Sequence, residues 1–166
     1  QGYGGQEYAG GMAHNDWITR PWHLPEHCHS TNWTVHEMCK FIVRRDPTRP
    51  SFWYMSFQHP HPPLVPLAEY MEMYRNIEVD MPFMGEWAKN VDELPRALRL
   101  RKQGHSSYPE RAIRMARQAV YALCTHIDHQ IRLAIGVLRE EGLLDNTVIA
   151  FTADHGDMLG NHGIYA

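Results

Sequence analysis

The chain has 166 residues, of which 43% are hydrophobic and 21% are charged, and its formal net charge is −3. This composition is typical of a globular protein, and the length is sufficient to bury one core. The small negative charge argues against a nucleic-acid-binding surface. No stretch approaches the roughly 20 apolar residues that a membrane-spanning helix needs. We therefore expect neither a nucleic acid nor a membrane as partner.

The first part of the chain shows no regular hydrophobic period. Residues 1–29 are rich in Gly, Tyr, Pro and Trp, which predicts an irregular loop segment that can line a site. After it, Ser30 or Thr31 is predicted to cap a helix that runs to about Arg44, because apolar residues recur there at helical spacing.

A run of aromatic and apolar residues at positions 52–57 predicts the first strand, and a Pro-rich loop follows it. Beyond the loop, the sequence predicts a short helix from Leu67 to Tyr74 and another helix near Leu94 to Lys102.

The longest predicted element is a helix that begins near Ser107 and Pro109 and ends at Gly142. One side of it is apolar at steps of three or four residues, which predicts that it packs against a sheet. The predicted inward positions are Ile113, Ala116, Val120, Leu123, Ile127, Ile131, Ala134 and Leu138.

The second predicted strand, residues 147–152, is apolar and β-branched enough to be buried on both faces. It is followed at once by Asp154 and His155, at the strand end where open α/β sheets hold their ligands. Asp157 and His162 come shortly after. A carboxylate and an imidazole side by side predict half of a metal site.

Three stretches of the chain resemble the sulfatases, a family of the alkaline-phosphatase-like superfamily. Residues 145–163, DNTVIAFTADHGDMLGNHG, resemble the metal-binding strand and loop of that family. Residues 50–63, PSFWYMSFQHPHPP, are similar to its strand that ends in a Pro-His-x-Pro loop, and residues 122–147 to its long helix and strand entry. The three stretches follow one another in the family's order.

The resemblance implies an α/β fold, part of an alkaline-phosphatase-like sandwich with a mostly parallel central sheet flanked by helices. Residues 1–166 are expected to form one piece of a single catalytic domain, since two predicted strands fall short of the about five or six in a typical sheet. The family's first strand, with its two metal-binding aspartates, has no counterpart here.

The family's nucleophile is a formylglycine made from the first residue of a Cys-x-Pro-x-Arg or Ser-x-Pro-x-Arg motif. None of the three cysteines, Cys28, Cys39 and Cys124, begins such a motif. The formylglycine is therefore expected upstream, and this chain alone is expected to be inactive. The odd cysteine count without Cys-x-x-Cys spacing favours free thiols and a reducing compartment such as the cytoplasm.

Carried over by motif, Asp154 and His155 are expected to bind a divalent metal, and His61 to act as general acid near the leaving oxygen of a sulfate ester. Cleavage of such an ester needs a cation for the developing charge and a proton donor for the alcohol. The resemblance implies calcium. Manganese or magnesium remains an alternative, because an imidazole is a poor ligand for a hard cation.

Other readings of the same residues stay open. His59 and His61 also fit a Pro-rich surface turn, and His126 and His129 fit a hydrogen-bonded helix face better than a ligand set. For the function, the main prediction is a sulfuric ester hydrolase acting on a small-molecule or sugar sulfate ester. The alternatives are a phosphonate monoester or phosphodiester hydrolase of the same superfamily, and a noncatalytic binding or structural domain.

Overall fold

The computed structural model describes residues 17–103 and 108–165. Its α-helices in these ranges are α1 (Ser30–Val43), α2 (Ala68–Tyr74), α3 (Arg96–Gln103) and α4 (Glu110–Glu140). Short 3-10 turns occur at Glu26–Cys28, Glu86–Ala88, Val91–Glu93, Leu144–Asn146 and Asn161–Gly163. The first sixteen residues of the predicted loop segment and the predicted cap Ser107 lie outside the described residues. No helix in the described ranges is long and apolar enough to cross a membrane.

The N-terminus of α1 differs from the prediction. The residue that caps it is His29, whose side chain accepts a hydrogen bond from the Thr31 backbone N–H at 3.3 Å, so the expected cap at Ser30 or Thr31 was wrong. An imidazole Nδ1 with a lone pair satisfies an unpaired helix N–H as a hydroxyl does. The helix ends at Val43, close to the predicted end.

Helix α4 confirms the extent and the buried side of the longest predicted element, whereas its predicted packing against a sheet is not confirmed among the described residues. Every predicted inward position except the half-buried Ile131 is buried. The helix ends where Gly142 adopts a φ of 69°, a conformation that favours glycine. The Leu143 N–H then donates to the Leu138 carbonyl at 2.8 Å, which closes the last turn.

The core forms around α4, which packs against α1 and α2. Trp17 from the N-terminal segment, Leu64 from the Pro-rich loop and Tyr165 from the C-terminal loop all pack on the Ala-rich first half of α4. Three segments that are distant in sequence are thereby fixed around one helix. The Trp17 and Tyr165 rings lie edge to face, with ring centroids 4.8 Å apart.

The shorter helices agree with their predictions within two residues. Helix α2 begins one residue after the predicted Leu67, and α3 begins at Arg96 where Leu94 was predicted. All three cysteines are free thiols, as their spacing predicted. Cys124 is exposed on the outer side of α4, and Cys39 is half-buried.

The two predicted strands are extended segments that pair with no other strand among the described residues, so the predicted sheet is not confirmed. Residues 147–152 were expected to be buried on both faces, and this was wrong: Val148 is 96% exposed and Phe151 is 80% exposed. The reason is that no strand or helix of the described chain covers them. In residues 52–57 exposure alternates, with Phe52 and Tyr54 exposed and Trp53 and Met55 half-buried.

A short parallel pairing occurs where the sequence predicts only loop. Thr19 and Leu64 form a parallel bridge, the Arg20 N–H donates to the Leu64 carbonyl at 3.1 Å, and the Trp22 N–H donates to the Pro66 carbonyl at 2.9 Å. This pairing fixes the exit of the Pro-rich loop against the N-terminal segment.

Candidate active site

His61 lies in the Pro-rich loop after the first extended segment. Its backbone N–H donates to the Gln58 carbonyl at 3.1 Å, and its side-chain Nδ1 lies 2.6 Å from the Pro62 carbonyl. Because a carbonyl oxygen only accepts, Nδ1 must carry the proton. This bond fixes the neutral tautomer, in which Nδ1 carries the proton.

Asp154 and His155 follow the second extended segment, and both side chains are exposed. The His155 N–H donates to Asp154 Oδ1 at 3.0 Å, and His155 Nδ1 donates to the Gly156 carbonyl at 2.9 Å. His155 Nε2 then lies 3.8 Å from Asp154 Oδ2. Two donor atoms at that separation can bind the same cation with metal–ligand bonds of about 2.1 Å. A ligating His also commonly donates its other ring N–H to a carbonyl.

The electrostatic surroundings of His155 favour positive charge. The hydrogen bond to the Gly156 carbonyl raises the pKa of His155 above its usual value, and the charges of Asp154 and Asp157 raise it further. Because an imidazole must be neutral to bind a metal, a proton would compete with any cation at His155.

The structure brings the loop of His61 and the segment of His155 together. The ring centroids of His61 and His155 are 6.3 Å apart, and the rings are inclined by 73°. The two residues are 94 positions apart in the sequence. The fold therefore places the two predicted site histidines beside each other.

The residues that follow Asp154 and His155 have structural contacts instead. Asp157 Oδ1 accepts from the Leu159 N–H at 2.6 Å, a local turn. The His162 N–H donates to the Phe83 carbonyl at 2.7 Å, and His162 Nδ1 accepts from the Gly85 N–H at 3.1 Å. In residues 17–103 and 108–165, no three His, Cys, Asp or Glu side chains are arranged to hold one metal ion. Among the described residues, the predicted ligands Asp154 and His155 therefore have no third partner, and we call this pair the half-site.

The loop after the half-site is fixed from α4. Arg117 is buried in the core and its Nη1 donates to the Leu159 carbonyl at 3.0 Å. Gly160 has a φ of 85°, and a Cβ there would lie 2.6 Å from Tyr165 Cε1. Only glycine fits this turn, which returns the chain to the core.

Beneath the His61 loop lies a group of buried histidines that the sequence did not predict. We call His29, His59 and His126 the histidine cluster. The His29 ring centroid is 4.9 Å from that of His59 and 4.8 Å from that of His126. Tyr70 stacks on His126 with ring centroids 4.6 Å apart. No period marks the three histidines in the sequence, since each comes from a different element.

The histidine cluster is neutral. Burial, and after it the charge of a protonated His29, lowers the pKa of His59 and of His126 to about 3. Burial also lowers the pKa of His29, against the bond to the Val65 carbonyl and the charge of Glu26. The hydrogen-bonded reading of the α4 face is wrong for His126, whose two ring nitrogens lack partners, whereas His129 Nδ1 contacts the Tyr70 hydroxyl at 3.2 Å.

We expect His126→Phe to flatten the acid limb of the stability curve. An unfolded histidine gains a proton as the pH falls through about 6.5, whereas the folded residue stays neutral to about 3, so folding free energy is lost between these values. After allowance for screening, the variant should be relatively more stable by about 1–2 kcal/mol at pH 5 and within about 1 kcal/mol of wild type at pH 7. Urea unfolding of the full-length protein at both pH values measures this.

The matched control is His36→Phe, because His36 is an exposed histidine of α1. That variant should keep the wild-type decrease in stability between pH 7 and pH 5. Parallel wild-type and His126→Phe curves would show that His126 does not contribute to the acid limb.

The sequence and the fold of the chain are similar to those of known proteins. The sequence matches the family model Sulfatase over residues 1–166. It is 42% identical over 152 residues to an arylsulfatase of Clostridium perfringens, covering 92% of this chain and 31% of the relative. It is 32% identical over 121 residues to a choline-sulfatase of Rhizobium meliloti, covering 70% of this chain and 23% of the relative.

Among solved structures, the chain is similar to the phosphonate monoester hydrolase SpPMH from Silicibacter pomeroyi. The TM-score is 0.69 at 22% identity, and the match covers 96% of this chain and 36% of that protein. This likeness shows a shared fold. The chain spans about a third of the length of the arylsulfatase, and similarly of the hydrolase structure. With the family model matched over its whole length, this chain belongs to the sulfatase family.

Proposed function

We propose that the whole protein is a metal-dependent sulfuric ester hydrolase, in which Asp154 and His155 bind the metal and His61 is the general acid. The observation that carries this proposal is the 6.3 Å separation of the His61 and His155 ring centroids. It joins the two motifs, 94 positions apart, at one place. The family membership and the sulfatase relatives support the reaction class.

The side chains of this chain supply a proton and two ligands. His61 is held by the Pro62 carbonyl at Nδ1, so a proton on Nε2 can pass to the leaving alkoxide oxygen as its bond to sulfur breaks. Asp154 and His155 would hold the cation, which supplies a Lewis acid for the sulfate oxygens. The nucleophile, a formylglycine of Cys or Ser origin, belongs to the part of the whole protein outside these residues.

For the cation we propose calcium, with manganese or magnesium as the alternative. One carboxylate and one imidazole are a mixed donor set that calcium tolerates less well than manganese does, but further oxygen ligands from the rest of the protein would shift the balance to calcium. Metal analysis of the protein as purified, followed by chelation and reconstitution with each ion, distinguishes the three.

We also propose that residues 52–57 and 147–152 are strands of a mostly parallel sheet in the whole protein. The alternating exposure of residues 52–57 and the exposed apolar side chains Val148 and Phe151 support this, because such segments are stable only beside further strands. Amide hydrogen exchange in the full-length protein should find both segments strongly protected.

A phosphonate monoester or phosphodiester hydrolase is the second candidate. It is favoured by the fold shared with the phosphonate monoester hydrolase SpPMH, at a TM-score of 0.69. Values of kcat/KM for the whole protein on a nitrophenyl sulfate, a nitrophenyl phosphonate monoester and a nitrophenyl phosphodiester decide between the two. A preference of more than tenfold for the sulfate supports our proposal, and the reverse preference assigns the second candidate. No metal-dependent turnover on any of the three supports a noncatalytic domain.

We expect the 166-residue chain by itself to show no turnover on an aryl sulfate. It contains neither formylglycine motif, and its half-site has two ligands. A covalent catalyst without its nucleophile retains only binding and charge stabilisation. A continuous nitrophenolate assay with added calcium or manganese is the measurement. Robust metal-dependent turnover by this chain would contradict the proposed mechanism.

A further inference from the structure

His29 is fully buried and makes two different hydrogen bonds with its two ring nitrogens. Nδ1 accepts from the Thr31 backbone N–H at 3.3 Å, so it carries no proton. Nε2 lies 3.3 Å from the Val65 carbonyl, which only accepts, so Nε2 donates. The neutral Nε2–H tautomer is thus fixed. It joins the first turn of α1 to the chain that leaves the His61 loop.

His29 contacts the chain on both sides of His61. Before His61, the buried ring of His59 lies with its centroid 4.9 Å from that of His29. After His61, the Val65 carbonyl accepts a hydrogen bond from His29 Nε2. The neighbouring Leu64 and Pro66 carbonyls accept hydrogen bonds from backbone N–H groups of the N-terminal segment. The loop that carries His61 is therefore supported at both ends by one imidazole.

We propose that His29 is a positioning residue for His61, acting through the Val65 carbonyl and the His59 ring. The proposal rests on the proposed function, in which His61 donates a proton. A general acid contributes only when its donor nitrogen stays within hydrogen-bond reach of the leaving oxygen, and a displacement of about 1 Å can cost roughly a hundredfold in rate. Support at both ends of the loop restricts such displacement.

Two substitutions separate the two hydrogen bonds of His29. In His29→Asn, the amide oxygen takes the place of Nδ1 and can cap α1, but the side chain is too short to reach Val65. In His29→Gln, the longer side chain can donate an N–H to the Val65 carbonyl, but it caps the helix poorly. The buried Ile42→Val of α1, which is remote from the loop, is the control for lost stability alone.

In the full-length enzyme, His29→Asn should lower kcat on an alkyl sulfate by roughly ten- to a hundredfold, with a smaller loss on nitrophenyl sulfate and little change in KM. His29→Gln should recover most of this loss. In the His61→Ala background, His29→Asn should cost less than about threefold, since a positioning residue has no effect once the group it positions is gone. Amide exchange of a peptide covering residues 58–67 should quicken in His29→Asn and return towards wild type in His29→Gln.

The outcomes divide clearly. If His61→Ala alone shows no loss that depends on the leaving group, His61 is not the general acid, and the proposed role of His29 is wrong with it. If His61→Ala shows that loss but His29→Asn is equally harmful with and without His61, or no worse than Ile42→Val, His29 is merely structural. Should His29→Asn fail to fold, His29→Gln decides: a leaving-group dependence like that of wild type supports the proposal, and a steeper one overturns it.

Discussion

The full-length protein carrying Asp154→Ala is expected to lose its bound metal and its activity together. In the proposed half-site the two donors are Asp154 Oδ2 and His155 Nε2, 3.8 Å apart, and only the carboxylate carries a negative charge. A bound cation would stabilise the charge of the transition state by several kcal/mol, so its loss should lower the rate by about a thousandfold or more. Elemental analysis and kcat/KM, measured on the same preparation, test this.

Asp157→Ala is the matched control, a carboxylate removed three residues further along. Its Oδ1 accepts a hydrogen bond from the Leu159 N–H, so the substitution should lower the stability of the loop by about 1 kcal/mol. Most of the bound metal and of the activity should remain. If Asp154→Ala keeps the wild-type metal stoichiometry, Asp154 is not a ligand. If Asp157→Ala loses the metal instead, Asp157 is the carboxylate ligand and Asp154 was assigned in its place.

The helices were predictable because their signals are local. An apolar stripe at a spacing of three or four residues defines α4 over its whole length, and Gly142 marks its end. The extended segments were recognisable from their composition but their pairing was not, because strand partners are a property of tertiary structure. Residues 147–152 illustrate this. Their apolar run predicts burial, and they are exposed in the described chain because nothing in it lies beside them.

The residues of the candidate site were also only partly predictable from the sequence. His61, Asp154 and His155 were identified from short motifs that sit directly after extended segments, and the structure brings His61 and His155 to a ring separation of 6.3 Å. Their roles as general acid and metal ligands remain predictions. No sequence motif marks His29, because its proposed role depends on a hydrogen bond to Val65, 36 positions away. The contacts of a buried imidazole depend on the tertiary structure and cannot be predicted from the sequence alone.

Of the two histidines in the Pro-rich loop, His61 is the one whose loss is expected to depend on the leaving group. In the full-length enzyme, His61→Ala should lower kcat/KM on an alkyl sulfate by about 10²- to 10⁴-fold, the usual range for a general acid. On nitrophenyl sulfate the loss should be smaller, since nitrophenolate leaves with little protonation. Initial rates on both esters, at saturating metal, give the ratio.

His59→Phe is the control that separates this role from loop packing. His59 is buried in the histidine cluster, and its Nδ1 lacks a partner. Burial, and after it the charge of His29, lowers its pKa to about 3, so at neutral pH it is not the imidazolium that a general acid requires. A phenyl ring keeps the contact with His29, and we expect wild-type leaving-group dependence. Equal losses on both esters in His61→Ala would reduce His61 to sulfate binding. A steeper dependence in His59→Phe than in His61→Ala would assign the acid to the wrong histidine, because only the true donor can discriminate between leaving groups.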